Sequence, residues 1–573
     1  MKRILSVLLA ILMLAGVAPA AVAEDAHEIT MKDTPMYIGD VENLVNIPLY
    51  FMDGVEDLPW VALDDWRDVM DLIYKEWGED AGYVLTYALE GSKAVFTREN
   101  EYTMVVDFYE DSITFNDYNG FLHNSRESSL LDILSENGFN EAGEAELFQR
   151  NNKASFDRAG DAVTLDLRGY DIDIVLQDGK GYVPLQTLSD FLVAPQALMC
   201  AFYNGEAVFF ANSDIFGDAE NGYTPLGELY YSAEPCERSD ALAEYGYSEL
   251  CLALDSLYGL KEIHDIDNFS QLFWQIGYDE VLSGRDPVDA DVALYDFIDF
   301  YLDDLHSAFL GYSWMSGSDE VGNYVGTSNI RYDTKAARYT AARAQALGDE
   351  PPAYQEVGNT AYITFDGFKS NPARAYYAAL EGEKLPDDTI SLMILAHQNI
   401  YREDSPIENV VFDLSCNGGG SVDAALFVMA WVLGDAPFCV KDTFTGALSS
   451  VLYRADVNLD RVFSSGDELD DKRIYCLISP MSFSCGNLVP AAFKASDRVT
   501  LMGHTSGGGS CTVLPMSTAW GSIFQISSNK RMSFLKNGSY YDIDQGFEPD
   551  VYIDNIAGFY DREALTERIN ALY

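Results

Sequence analysis

The stretch Ser479-Pro-Met-Ser-Phe-Ser484-Cys-Gly-Asn-Leu-Val-Pro-Ala-Ala-Phe-Lys494 follows the apolar run Ile474 to Ile478 and continues as a helical pattern. A serine at such a strand-to-helix turn holds its Oγ outside the sheet, near the positive end of the next helix. The stretch therefore predicts an α/β arrangement with Ser484 as a candidate nucleophile. A serine at this place can also simply cap the helix, so the surrounding sequence has to decide between the two roles.

Two upstream segments favour the nucleophile. An apolar strand ends in Asn417-Gly418-Gly419-Gly420, where glycines let backbone N–H groups approach a ligand closely. Further upstream a helical pattern ends in Leu302-Asp-Asp-Leu-His306-Ser307. Serine, glycine loop and histidine are the nucleophile, oxyanion hole and base of acyl transfer. A phosphate cradle is disfavoured because no Walker lysine follows the glycines, and a plain tight turn stays open.

Alternating strands and helices surround these segments and predict an α/β core. A helical stretch from Ser239 to Leu305 precedes the core, with its last helix beginning near Asp289, and residues 313–355 are expected to form a loop with one short helix. The predicted core strands are Thr360–Phe365, Val410–Leu414, Ile474–Ile478 and Val499–Gly503. The predicted core helices are Ser391–Ile400, Ser421–Leu433 and Gly486–Ala495.

An internal repeat occupies the N-terminal third. Trp60–Met70 and Tyr182–Leu192 share an aromatic-valine strand end that leads into a short amphipathic helix, and each is followed by a strand pair around a glycine turn. The pattern resembles the α+β repeats at the N-terminus of copper amine oxidases. That resemblance implies a module for cell-surface association or substrate positioning, without chemistry of its own.

Composition and charge limit the partners of the chain. Lys2 and Arg3 precede an apolar run, and Ala21-Val-Ala23 gives a small-x-small cleavage pattern, so we expect a signal peptide and an extracytoplasmic, secreted product. Lys plus Arg number 36 against 92 Asp plus Glu, which argues against nucleic acid and anionic lipid as partners. No later segment predicts a membrane span. Most of the eight cysteines are expected to be buried free thiols.

Six blocks in a fixed order extend the pattern across residues 240 to 555. Besides the histidine, glycine and serine blocks, they include Tyr362-Ile-Thr-Phe365, the loop Met502-Gly-His-Thr-Ser-Gly-Gly-Gly-Ser510 and Gly546-Phe-Glu-Pro-Asp550. In this order the chain resembles the tail-specific, or C-terminal-processing, serine peptidases. The resemblance implies an α/β fold with a crotonase-like or Clp-protease-like core, preceded here by the helical segment and the N-terminal α+β repeat module.

The resemblance also implies roles for particular residues. Ser484 matches the nucleophile, and the N–H of Gly418 or Gly419 would join that of Cys485 in the oxyanion hole. The acid that orients the base lies just before the last block. Asp542 and Asp544 would share one face of a strand there, and Asp544 is the preferred candidate.

The base is where the sequence departs from the best-known members. Their lysine position is occupied by Gly508, which excludes a Ser–Lys dyad at that place. The tricorn-like branch uses a histidine in the Leu-Asp-Asp-x-His block, and His306 matches it. A neutral imidazole can take the serine proton near pH 7. His504 is the alternative base. No Cys/His metal spacing occurs, and no cofactor is expected.

Together these features predict an exported serine endopeptidase that cleaves peptides or unfolded protein segments. The predicted division is a signal peptide at 1–23, the duplicated module at 24–215, a helical segment at 216–310 and the peptidase core at 311–573. Two alternatives stay open: a catalytically inactive peptidase-fold protein that binds peptides, and a cell-surface interaction module that carries a vestigial enzyme.

Overall fold

The computed structural model describes residues 26–77, 85–122, 131, 133–134, 147–150, 156–216, 223–302, 304–317 and 330–572. The predicted signal peptide and Asp303 of the histidine block lie outside these residues. In the described part, no helix is both long and apolar enough to cross a bilayer. All eight cysteines are described and unpaired, and six are buried, which confirms the prediction of buried free thiols.

A six-stranded sheet carries the turn that contains Ser484. Its strands run in the spatial order Tyr354–Val357, Thr360–Thr364, Asn409–Asp413, Arg473–Ile478, Val499–Gly503 and Val551–Tyr552. All neighbours pair in parallel except the first two. The four central strands agree with the prediction to within one residue at each end. Helices cover both faces of such a sheet, so its strands read as continuous apolar runs.

The helices of this region confirm the mixed α/β prediction and add three helices to the predicted ones. They are Ile330–Leu347, Ala373–Ala378, Thr389–Ile400, Val422–Leu433, Cys485–Ala495 and Arg562–Asn570. The expectation of a loop with one short helix over 313–355 was wrong, because Ile330–Leu347 is an 18-residue helix. It contains six alanines, the best helix formers. Its charged residues hid the apolar period, since Tyr339 is among its few buried side chains.

The helical segment before the core ends beside His306. Its helices are Asp240–Leu257, Phe269–Ile276, Asp279–Leu282 and Pro287–Asp296, the last of which continues as a π-turn over Phe297–Tyr301. The last helix begins at Pro287, two residues before the predicted start, because the Asp286 side chain accepts the N–H groups of Val288 and Asp289. The chain then enters the strand Ala308–Gly311.

The two copies of the internal repeat pair with each other in a seven-stranded sheet. The sheet order is Val175–Gln177, Lys180–Pro184, Trp60–Ala62, Asp40–Met52, Ile29–Ile38, Val208–Ala211 and Cys200–Tyr203. Val61 lies opposite Val183 in an antiparallel pair. The sequence repeat equates the same two valines, so the copies are related by a local twofold at that pair. The helices Leu63–Trp77 and Leu185–Leu188 follow the paired strands.

The two hairpins that follow the repeats have different places. The first, Leu85–Glu90 with Lys93–Arg98, belongs to a five-stranded antiparallel sheet. The remaining strands of that sheet are Tyr102–Asp107, Ser112–Phe115 and Val163–Asp166. The second hairpin, Cys200–Tyr203 with Val208–Ala211, extends the sheet that contains the repeats. Duplication in sequence has therefore produced two packing environments.

A third large sheet joins the N-terminal part to the core. Its order is Ala308–Gly311, Ile523–Ser533, Ala436–Asp442, Leu448–Ala455 and Phe148–Arg150, with Cys511–Ser517 and Phe156–Arg158 attached at its sides. One continuous hydrophobic cluster extends from Met36 through the helical segment to Ile526. The predicted boundaries at residues 215 and 310 therefore do not separate hydrophobic cores, because strands from the C-terminal part complete the N-terminal packing.

Asp442 ties these parts together and provides a test of the packing. Its buried carboxylate accepts hydrogen bonds from Asn119 (2.7 Å), Thr445 (2.8 Å) and Asn529 (2.7 Å). We expect Asp442→Ala to lower the free energy of unfolding by about 2–4 kcal/mol in urea titrations, because it leaves buried donors unpaired. Asp435→Ala, which removes the partly exposed partner of Arg454, should cost less than about 1 kcal/mol. Equal losses would contradict this role.

Candidate active site

The glycine loop and the serine turn lie side by side at one edge of the core sheet. Asn409–Asp413 and Arg473–Ile478 are neighbouring parallel strands, so the loops that follow them leave the sheet at the same edge. A Cβ atom on Gly419 would lie 2.6 Å from the Cβ of Ser484 and 3.0 Å from its Oγ. The absence of a side chain at Gly419 is therefore what allows the loop to reach Ser484.

Ser484 has the backbone conformation of a strained turn rather than of an ordinary helix cap. Its φ of 56° and ψ of −124° are unfavourable for a residue with a side chain, and its side chain makes no capping hydrogen bond. Its N–H donates to the carbonyl of Gly508 (2.9 Å). Strain of this kind persists only where surrounding structure enforces it, and it clusters at active sites.

The other serines of the turn have structural partners. Ser479 Oγ donates to the carbonyl of Ser415 (2.6 Å), and Ser482 Oγ donates to that of Leu414 (2.7 Å). Both side chains are fully buried, whereas Ser484 is half-buried. Among the described residues, no hydrogen bond engages Ser484 Oγ. Of the three hydroxyls, that of Ser484 is the one available to attack a substrate.

His306 packs directly against the serine turn. Its ring centroid lies 4.5 Å from that of Phe483, the residue before Ser484, and the side chain is buried. Its backbone N–H donates to Asp304 Oδ1 (3.0 Å), and its carbonyl accepts from Gln525 Nε2 (2.7 Å). Within the described part of the chain, no hydrogen bond joins the imidazole to Ser484. The His306 ring therefore lies against the residue that precedes Ser484, without a hydrogen bond to the serine hydroxyl.

The surroundings of His306 favour a neutral imidazole. Burial lowers the pKa of His306, and the carboxylates of Asp304 and Asp544 oppose that shift. A histidine with a lowered pKa is unprotonated near pH 7, as a general base must be. Its Nδ1 is buried, and no described residue forms a hydrogen bond with it.

The two candidate acids have different environments. Asp542 Oδ1 accepts a hydrogen bond from Arg531 (2.7 Å). Asp544 Oδ1 accepts two bonds from Ser510, from its N–H (2.9 Å) and its Oγ (2.8 Å). Of these two aspartates, Asp544 is the one whose charge acts on His306, although no hydrogen bond joins the two within the described residues. Neither aspartate lies in a strand, so the expectation of a shared strand face was wrong.

The predicted oxyanion-hole donors are partly engaged inside the protein. The N–H of Gly418 donates to the carbonyl of Asp366 (3.1 Å), and that of Gly419 donates to Asn417 Oδ1 (3.0 Å). The Cys485 N–H stands at the first position of its helix, where backbone donors lack intrahelical acceptors. In this conformation, therefore, the glycine N–H groups that the sequence assigned to the oxyanion hole have protein acceptors.

Arg343 holds the glycine loop in this arrangement from the helix that sequence reasoning missed. Its buried guanidinium forms a two-fold ion pair with the carboxylate of Asp366, whose carbonyl accepts the Gly418 N–H. Alternation of strands and helices gives no signal for such a pair, because Arg343 and Asp366 belong to elements that only the tertiary fold brings together.

The alternative bases are disfavoured by their positions. Both ring nitrogens of His504 are engaged, Nδ1 with the hydroxyl of Tyr339 (2.7 Å) and Nε2 with the carbonyl of Ile553 (2.7 Å). At the position of the missing lysine, a Cβ on Gly508 would lie 1.8 Å from the carbonyl oxygen of Asp544. This backbone contact leaves no room for a lysine side chain at that position.

Comparison with protein families shows which class of protein the core resembles. Residues 359–553 match the model of Peptidase family S41. This segment contains the glycine loop, the serine turn and the acid turn described above. Over these residues the chain is similar to the S41 family, and this match supports a serine peptidase. No curated protein matches the chain.

Several solved structures are similar to the chain at low identity. The photosystem II D1 C-terminal processing protease is 18% identical over 34% of this chain and 42% of its own, with a TM-score of 0.24. A lipoprotein from Streptococcus agalactiae is 14% identical over 57% of this chain and 96% of its own, at 0.34. The tricorn protease is 11% identical over 95% and 58%, at 0.31. The support for the enzyme class comes from the family match.

Gly419 provides a direct test of the loop contact. We expect Gly419→Ala to reduce the rate of Ser484 labelling by a fluorophosphonate probe at least tenfold, since the added methyl group would overlap the Ser484 side chain. Gly382→Ala is the matched control. Gly382 has a similar φ (102° against 107°), but a Cβ there would meet nothing within 4 Å. Equal labelling of the two variants would show that the contact does not matter.

Proposed function

We propose that the protein is an exported serine endopeptidase of the tricorn-like Ser/His type, which cleaves peptides or unfolded protein segments through an acyl-enzyme on Ser484. The observation that carries the proposal is the enforced positive-φ turn at Ser484, which the glycine loop contacts at Gly419 while the ring of His306 packs against the preceding Phe483. A half-buried serine with a free hydroxyl beside a neutral imidazole has the chemistry of a nucleophile and its base.

The proposed reaction follows from these groups. His306 accepts the proton of Ser484 Oγ as the oxygen attacks the carbonyl carbon of the substrate, and the Cys485 N–H donates to the developing oxyanion. The tetrahedral intermediate collapses when His306 returns the proton to the leaving amine. Water then attacks the acyl-enzyme by the same route and restores Ser484. Catalytic hydrogen bonds are often long in free enzymes and shorten when substrate binds, and the proposed mechanism requires the hydrogen bond between His306 and Ser484 to form at that stage.

Substitution of the two groups tests the proposal. We expect Ser484→Ala and His306→Ala each to reduce the hydrolysis of unfolded casein about a thousandfold or more. Ser496→Ala is the control on the same helix, because its Oγ only accepts and donates locally at the helix end. We expect His504→Ala to retain the hydrolysis of casein. If His504→Ala is inactive and His306→Ala is active, the assignment of the base is wrong.

The pH dependence gives a separate prediction. The base must be neutral, and burial lowers the pKa of His306 from its ordinary value of about 6.5. Activity should therefore persist as the pH falls through 6.5 and disappear only below it, where His306 becomes protonated. A profile of kcat/KM against pH with its acid half-point above 6.5 would contradict a buried, neutral base.

A second candidate function has its own support. The engaged N–H groups of Gly418 and Gly419 and the missing Ser484–His306 hydrogen bond fit a peptidase-fold protein that binds peptides without turnover. It predicts that wild type and Ser484→Ala bind casein equally and that neither hydrolyses it or reacts with a fluorophosphonate.

Export, and retention at the cell surface through residues 24–215, are also proposals. Export predicts a mature protein that begins at Glu24. Retention predicts that a protein lacking residues 24–215 is released from the cells.

A further inference from the structure

Within the part of the chain that the structure describes, three buried polar atoms in or near the candidate base have no partner at hydrogen-bond distance. They are His306 Nδ1, the hydroxyl of Tyr258 and Ser527 Oγ. Tyr258 is 2% exposed and Ser527 is fully buried. Folded proteins pair nearly all such atoms, and the exceptions call for a functional explanation. The mechanism above uses His306 and leaves Tyr258 without a role.

The backbone of Tyr258 is fixed against the central strand of the third sheet. Tyr258 follows the helix Asp240–Leu257 and forms an antiparallel bridge with Ser528. The N–H of Gly259 donates to the carbonyl of Ser527 (2.9 Å), and a Cβ on Gly259 would lie 3.1 Å from the Sγ of Cys511. These contacts place Tyr258 beside both strands of the Cys511 hairpin.

On one side of Tyr258 stands the acid turn. Cys511 follows Ser510, whose N–H and Oγ both donate to Asp544 Oδ1. Arg531 Nε donates in turn to Ser510 Oγ (3.0 Å). Oδ1 of Asp544 is therefore pinned by Ser510, and the guanidinium of Arg531 supports that contact.

On the other side stands the carboxylate that holds the base. Asp304 Oδ1 accepts the backbone N–H of His306, and Asp304 Oδ2 accepts from Ser307 Oγ (2.7 Å). Ser307 Oγ accepts in turn from the N–H of Ser527 (3.1 Å), one residue from the Tyr258 bridge. Burial raises the pKa of Tyr258 most, and the negative charges of Asp304 and Asp544 raise it further, with Asp304 also placed as an acceptor toward the Tyr258 hydroxyl. Its hydroxyl therefore keeps its proton and can act as a donor.

We propose that Tyr258 is a positioning residue for the catalytic pair, whose hydroxyl donates a hydrogen bond to Asp304 when the site is assembled. The inference rests on the proposed function and deepens it. A bond to Asp304 fixes the carboxylate that anchors the backbone of His306, and it spreads part of the negative charge beside the imidazole. Tyr258 touches neither substrate nor the reacting atoms, and it acts through Asp304.

The charges around His306 decide the expected sign. Asp304 faces it from its own segment and Asp544 from the acid turn, while Cys511 is neutral because burial raises the pKa of its thiol. Arg531 is engaged with the acid turn. Removal of the Tyr258 hydroxyl leaves more negative charge on Asp304, and this stabilises the imidazolium. The pKa of His306 should therefore rise.

The test is Tyr258→Phe, which removes one oxygen and keeps the ring. We expect kcat/KM on unfolded casein to fall roughly three- to tenfold. We also expect the acid half-point of its pH profile to move upward by about half a pH unit. Tyr377→Phe is the matched control, a buried tyrosine whose hydroxyl donates to Asp456 (2.7 Å) in the core. It should leave the pH profile unchanged.

A second measurement separates positioning from packing and does not depend on turnover. The pKa of His306 is measured by NMR of selectively labelled histidines, with His306→Ala for assignment, and the melting temperature is measured alongside. A higher His306 pKa in Tyr258→Phe supports the inference. An unchanged His306 pKa overturns it, whether or not activity or the melting temperature falls. If wild type fails to react with a fluorophosphonate, the proposed function fails, while the titration still decides the role of Tyr258.

Discussion

The site depends on the backbone constraint at Ser484. A residue with a side chain does not adopt φ of 56° and ψ of −124° without being held there. The carbonyl of Gly508 accepts its N–H, the Asp544 carbonyl lies against the Cα of Gly508, and Gly419 presses on the side chain from the other side. Two of these contacts require glycine. The glycines of this protein are thus parts of a clamp that exposes one hydroxyl and leaves its neighbours buried.

Burial and charge act in opposite directions on the proposed base, and burial prevails. The low polarity around His306 disfavours the imidazolium, while Asp304 and Asp544 favour it, and the resulting pKa lies below that of an exposed histidine. The two carboxylates are themselves held by other groups, Asp304 by Ser307 and the His306 backbone, Asp544 by Ser510. A base of this kind is ready to accept a proton, but its orientation depends on a polar network that extends into the helical segment.

The architecture explains why this network can exist. The strand Ile523–Ser533 pairs with Ala308–Gly311 after the histidine block, with Cys511–Ser517 after the serine turn, and with Ala436–Asp442 in the core. It therefore connects the segments that supply the base, the acid turn and the hydrophobic packing of the N-terminal part. The N-terminal module and the core share buried surface, so separation of the chain at residue 215 or 310 would expose apolar side chains from both parts.

Local patterns determined most of the framework. The core strands are apolar runs, and they could be assigned to within one residue because strands buried on both faces need continuous apolar sequence. The serine turn and the glycine loop were expected to act together as nucleophile and oxyanion hole, and the structure places them after neighbouring parallel strands. The sequence repeat aligns Val61 with Val183, and these two residues are paired in the sheet. The helix Ile330–Leu347 was missed because its alanine-rich, charged surface has little apolar periodicity.

Only the tertiary structure decided which groups can act together. The sequence left His306 and His504 as alternative bases, and the fold engages both nitrogens of His504 with Tyr339 and Ile553. It also left Asp542 and Asp544 as alternative acids, and in the structure Arg531 donates a hydrogen bond to Asp542. Tyr258 and Arg343 carry no motif that spacing could reveal, and Asp304 lies in the histidine block without a role that spacing could assign. Hydrogen bonding and charge act over a few ångströms in space, and residues far apart in the chain reach that distance only when the sheets have packed.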